Sequence, residues 1–151
     1  MAGRVYEAFE IGQAIVHDLR QEITQADNLK FCELTHNLQP LHTDSEYAKA
    51  TEFGRIVVNG LYTFSLMVGV SVADTTLGTL VANLGYDAVT MPAPVFPGDT
   101  LRFETTVLEK RESKSRPKAG VVTFEHRAFN QAGILVCQTR RTALMRKRGE
   151  A

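Results

Sequence analysis

Polar and apolar residues change their rhythm once along this chain, near Thr79. Before that point the most apolar segment with helical spacing runs from Leu61 to Ala73, carrying Leu61, Phe64, Leu66, Met67, Val68, Val70 and Val72. It is apolar nearly all round, as a buried helix is, so other elements must wrap it. Gly69 and Ser71 lower its helix propensity but would let a sheet come close. After Thr79 the pattern predicts four strands: Val81 to Thr90, Thr100 to Lys110, Val121 to Asn130 and Ile134 to Met145. Thr100 to Leu108 alternates in part, and Phe124, His126, Ala128 and Asn130 share one face of the next strand. A turn through Pro92, Pro94, Pro97 and Gly98 separates the first two strands, and Asn130-Gln131-Ala132-Gly133 suits a hairpin with glycine in a left-handed position. One long apolar helix followed by antiparallel neighbours predicts an α+β, two-layer arrangement in which the sheet curls about the helix.

The first sixty residues are less regular. Tyr6 to Asp18 mixes aromatic and β-branched residues around Gly12 and reads as a strand or turn-strand at the edge of the sheet. Thr24, followed three residues later by Asp27, marks a helix start, and Leu29, Phe31, Cys32 and Leu34 form its expected apolar face. That helix should end before Asn37. Pro40 lacks an N–H and biases Gln39 away from the α region, so residues 36 to 43 are expected to form an extended or turning loop able to present side chains inward. Asp44 caps the helix that follows, which places His42 just before a helix start. Gly60 follows the apolar run Ile56, Val57, Val58 and opens the long helix, so its N–H is among the unpaired donors of a helix N-terminus. Such a donor can hold a developing oxyanion. Taken alone, a histidine beside a proline is more often a surface or satisfied loop residue than a catalyst.

Composition narrows the class. At 151 residues, 44% hydrophobic and 23% charged, the chain suits one domain spanning 1–151 with a real core. Seventeen basic and seventeen acidic residues cancel, which gives no electrostatic argument for nucleic acid or an anionic membrane. Cys32 and Cys137 show no CxxC spacing and read as packed thiols. The N-terminus has no long apolar region behind basic residues, and no run approaches a membrane span, so a cytoplasmic location is expected. The stretch Lys110 to Lys118 holds five bases in nine residues. Lys114 and Arg116 could grip the phosphates of a coenzyme, or the stretch could be the solvated tip of a long hairpin. No phosphate loop, GxSxG elbow or metal-ligand spacing appears.

Written out, L-T-H-N-L-Q-P-L-H-T-D, EYA and FGRIVVNG resemble the signature of the MaoC-like, (R)-specific enoyl-CoA hydratases, and the likeness extends from about Gln21 to Arg146. The resemblance implies a hot-dog fold, an acyl-CoA thioester as substrate, no separate cofactor, and a homodimer or higher homo-oligomer. It implies that His42 shares the proton work with the residue at position 37 and that the Gly60 N–H meets the thioester carbonyl, with Gln39 in the substrate-binding loop. The family reads Gly-Asp-x-Asn-Pro-Leu-His here. In this chain His36 takes the glycine position, Asn37 that of the catalytic aspartate and Gln39 that of the asparagine. The form N-x-Q-P-L-H, with EFGRIVVNG and RESKSRP, is similar to the branch acting on mesaconyl-, itaconyl- or β-methylmalyl-CoA.

Three functions follow: a hydratase or dehydratase of a short, branched dicarboxylic enoyl-CoA, a hot-dog thioesterase, and an acyl-CoA-binding module that has lost catalysis because Asn37 cannot accept a proton. A neutral Asn37 either orients water while His42 acts alone, or removes a charge that would repel a substrate carboxylate. In the second case a cation must meet that carboxylate, and Arg55 is the nearest in sequence.

Overall fold

The computed structural model describes residues 3–149. Its sheet is antiparallel throughout, in the order β1 (Ala14–Val16), β4 (Thr100–Glu112), β5 (Ala119–Phe129), β6 (Leu135–Arg146) and β3 (Leu80–Thr90), with β2 (Gln21–Glu22) pairing β4. The four long strands start and end within two residues of the expected bounds. Gly98 and Gly133 take positive φ values of 95° and 76° in the turns assigned to them. One face of the sheet carries α4 (Gly60–Thr75). Between them lie Ile23, Val58, Met67, Val95, Leu101, Phe103, Ala128, Val136 and Cys137. No helix among the described residues is long and apolar enough to cross a membrane.

α4 is apolar as expected but is not buried all round. Its fully buried positions are Thr63, Met67, Ser71 and Thr75, an i, i+4 stripe of mostly small side chains. Small residues let the axis approach the sheet, and larger ones such as Tyr62, Phe64, Leu66 and Val70 flank it half-buried. Leu61 is 54% exposed. Gly69 takes no part in the close approach, because a Cβ built there would meet nothing within 4 Å.

The N-terminal segment departs from the expected strand. Only Ala14–Val16 pairs with β4, and Tyr6–Ala8 forms a 3-10 turn. Tyr6 and Phe9 instead pack beneath the far end of the sheet with Val107, Val122, Phe124, Ala143 and Met145. The Tyr6 ring lies against Gly120, where any Cβ would sit 2.3 Å from it. Burial outcompetes strand propensity here.

A polar chain threads the core beside these clusters. His17 Nδ1 lies 2.6 Å from Asp74 Oδ2, His17 Nε2 lies 2.7 Å from Thr105 Oγ1, and that hydroxyl lies 2.8 Å from His126 Nδ1. His126 is fully buried and its Nε2 has no partner. Burial, reinforced by the neighbouring Arg141 and His17, pushes its imidazole down to about 3.

Candidate active site

Three short segments meet at the N-terminus of α4. α1 (Gln25–Leu34) is capped by Thr24, whose hydroxyl accepts from the Asp27 N–H at 3.1 Å. Its buried residues are Asn28 and Cys32, whereas Leu34, expected on the apolar face, is 81% exposed. The reason is Asn28. Its Oδ1 accepts from the Asn59 N–H at 2.9 Å and its Nδ2 donates to the His42 carbonyl at 3.0 Å, so one amide ties α1 to both other segments. Gln25 Nε2 also donates to the His42 carbonyl.

The loop expected around Pro40 is a single helical turn, α2 (Pro40–Thr43), with Pro40 in the first turn, where its missing N–H costs nothing. His42 therefore lies inside a turn. Asp44 caps α3 (Ser45–Lys49), accepting from Glu46 and Tyr47 N–H. The half-buried His42 ring places Nδ1 2.6 Å from the Val57 carbonyl. A carbonyl only accepts, so Nδ1 carries the proton and Nε2 is left as the basic nitrogen. The chain then runs through Val58, whose N–H donates to Val95 O at 2.8 Å, to Asn59, which caps α4 by accepting from Leu61 N–H at 3.0 Å. Gly60 is the first residue of the helix, with its N–H free of any i−4 partner.

His42, Gly60 and Thr63 line one cleft of about 500 Å³, walled otherwise by apolar residues including Phe53, Met91, Val95 and Val136. The Met91 thioether lies over Gly60, and a Cβ there would meet its sulfur at 2.2 Å. The other predicted residues stand outside these walls. Asn37 is half-buried and its Oδ1 accepts from the Gln39 N–H at 3.3 Å, closing its own turn. Gln39 is exposed and lines a neighbouring hollow of about 430 Å³ with Tyr47 and Phe53. Arg55 is exposed, its guanidinium 3.6 Å above the Phe96 ring. Lys114 and Arg116 line a separate hollow of about 280 Å³ with Ala82 and Leu84 and are not brought to His42. His36 takes φ 57°, the left-handed region natural to glycine, consistent with a residue standing at a turn-glycine position.

The sequence matches the MaoC like domain over residues 7–129. It is 35% identical over 150 residues, 99% of this chain, to the mesaconyl-CoA hydratase of Cereibacter sphaeroides, and covers 43% of that protein. It is 32% identical to the β-methylmalyl-CoA dehydratase of Chloroflexus aurantiacus over 97% of this chain and 41% of that one. The chain thus spans less than half the length of these two relatives. The (R)-specific enoyl-CoA hydratase of Aeromonas caviae is nearer its own size, 30% identical over 85% of this chain and 90% of that protein. Among solved structures, a monoamine oxidase regulatory protein from Archaeoglobus superposes with a TM-score of 0.87 at 34% identity, covering 97% of both chains. A double hot-dog protein of Mycobacterium tuberculosis gives 0.87 at 20% identity over 99% of this chain and 46% of that one, a likeness of fold alone. A sheet curled on one helix, a histidine turn before a glycine-led helix and a match over most of the chain agree: this protein belongs to the MaoC-like family and has the hot-dog fold.

Proposed function

We propose that this chain is a hydro-lyase acting on a short enoyl-CoA thioester. The observation that carries the reading is the shared apolar cleft, with a histidine held by Val57 on one wall and a free helix-terminal N–H on another. In the hydration direction His42 Nε2 takes a proton from water as its oxygen bonds the β-carbon. The alkene electrons move onto the thioester oxygen, where the Gly60 N–H receives the charge, and the imidazolium then returns its proton to the α-carbon. Dehydration is the same sequence reversed. Asn37 cannot accept a proton and its carbonyl oxygen is engaged by its own loop, so His42 alone carries the acid-base work.

The acyl group we propose is branched and dicarboxylic, of the mesaconyl, itaconyl or β-methylmalyl kind. Support comes from the names of the relatives at 35% and 32% identity and from the loss of negative charge at position 37. Among the described residues no Lys or Arg lines the cleft itself, so a distal carboxylate would need a cation from just outside it, and Arg55, in sequence between the lining residues Phe53 and Val57, is our candidate. A panel of crotonyl-, mesaconyl- and itaconyl-CoA, followed by loss of the conjugated-thioester absorbance and by release of free CoA, tests the whole reading. Loss of conjugation without free CoA is expected, with His42→Ala slower by at least ~100-fold. Arg55→Ala should weaken kcat/KM for the dicarboxylic esters by ~1.5 to 3 kcal/mol and leave crotonyl-CoA unchanged. Release of CoA would make the protein a thioesterase, and binding without either change would make it an acyl-CoA-binding module.

A further inference from the structure

The buried stripe of α4 carries three hydroxyls, and one differs from the rest. Ser71 Oγ donates to Val68 O at 2.7 Å and Thr75 Oγ1 donates to Ser71 O at 2.5 Å, so both are satisfied within their own helix. Thr63 is 1% exposed and its Oγ1 has no partner. The carbonyl it could have used, Asn59 O, accepts instead from the N–H groups of Tyr62 and Thr63 at 3.0 and 3.3 Å. A buried hydroxyl without a partner costs free energy that a methyl group of the same size would not. Thr63 lies one turn beyond Gly60 on the same helix, and both line the cleft. Of the twelve residues lining it, His42 and Thr63 alone carry polar side chains.

We infer that the Thr63 hydroxyl is a second donor to the thioester carbonyl oxygen of a bound acyl-CoA, completing with the Gly60 N–H a two-donor oxyanion site. His42 is occupied by the proton steps, which leaves this hydroxyl to share the charge that builds on the carbonyl oxygen. The assignment rests on the acyl-CoA reading given above. It requires displacement of the unbranched Met91 side chain from above Gly60.

Thr63→Val keeps the volume and removes the donor, and Thr63→Ser restores it. The expected result is a kcat for crotonyl-CoA about 10- to 100-fold lower in Thr63→Val, with KM raised by about five- to tenfold and most of the rate recovered in Thr63→Ser. Affinities for butyryl-CoA and for S-butyl-CoA, which lacks the carbonyl, measured by calorimetry, give a readout independent of turnover. Thr63→Val should lose at least about fivefold for the first ester and nothing for the second. A melting temperature equal to or above the parent's confirms folding, and Thr63→Ala serves as a second hydroxyl-free variant if Thr63→Val does not fold. Turnover within about threefold of the parent, with the parent's preference for butyryl- over S-butyl-CoA intact, overturns the assignment. A parent that hydrates no enoyl-CoA yet shows the Thr63-dependent binding difference would sink the hydratase reading and leave this one standing. A parent that binds neither compound would sink both.

Discussion

At the scale of single residues, the chain departs from its family's signature at three closely spaced points that have different physical standing. Asn37 puts a neutral amide in place of a carboxylate, Gln39 lies exposed outside the cleft, and His36 alters backbone energetics. An L-residue held at φ 57° carries ~1–2 kcal/mol of strain, of which a glycine would return ~0.4–1 through its greater freedom when unfolded. His36→Gly should therefore raise the melting temperature by about 1–3 °C without changing turnover. A fall in melting temperature, or a loss of rate above about threefold, would show that the His36 ring does something its exposure conceals. His42 and Gly60, which share one cleft, were singled out by the likeness of their segment to the family signature more than by residue type alone. Asn28 and Thr63 were not, since an amide and a hydroxyl inside helices read as neutral until their partners, or the lack of one, are seen.

Among elements, strand-forming segments with explicit turn residues were read almost to the residue, while the pieces shaped by tertiary contact were not. Tyr6–Ala8 turns because the Tyr6 ring covers Gly120, and α2 forms because Val57 and Asn28 hold His42 from two sides. The surface of β3 follows neither logic. Among the described residues it pairs only with β6, carries register shifts, and exposes Val81, Leu84, Tyr86 and Val89. An 11-residue edge with unpaired backbone groups and apolar side chains invites a partner strand. Sedimentation at micromolar concentration is expected to give at least a homodimer, and placing lysines at Leu84 and Val89 should shift it toward monomer. A parent sedimenting as a stable monomer would leave that surface without the proposed partner.

For the whole molecule, the polar chain through the core links stability to pH. His126 is held neutral in the fold with its imidazole at about 3, while in the unfolded chain it titrates near 6.5. The folded pKa lies below the unfolded one, so the contribution is complete above about 6.5 and is lost as pH falls toward 3, by up to ~1.4 kcal/mol per pH unit. Urea unfolding at pH 7, 6, 5 and 4 should show this slope in the parent and a flatter one in His126→Asn, which keeps a partner for Thr105. Equal slopes would mean that the unfolded chain, or carboxylates elsewhere, set the acid limit.

The cleft divides its labour along the chain in a way that bears on descent. Its polar groups all come from residues 42 to 63, one uninterrupted stretch, while Met91, Val95 and Val136 complete the lining from later segments. Substitutions at Val95 and Val136 can resize the cleft without replacing any of its polar groups. On the proposed hydro-lyase reading, a lineage with this arrangement can explore new acyl groups while its reaction stays fixed.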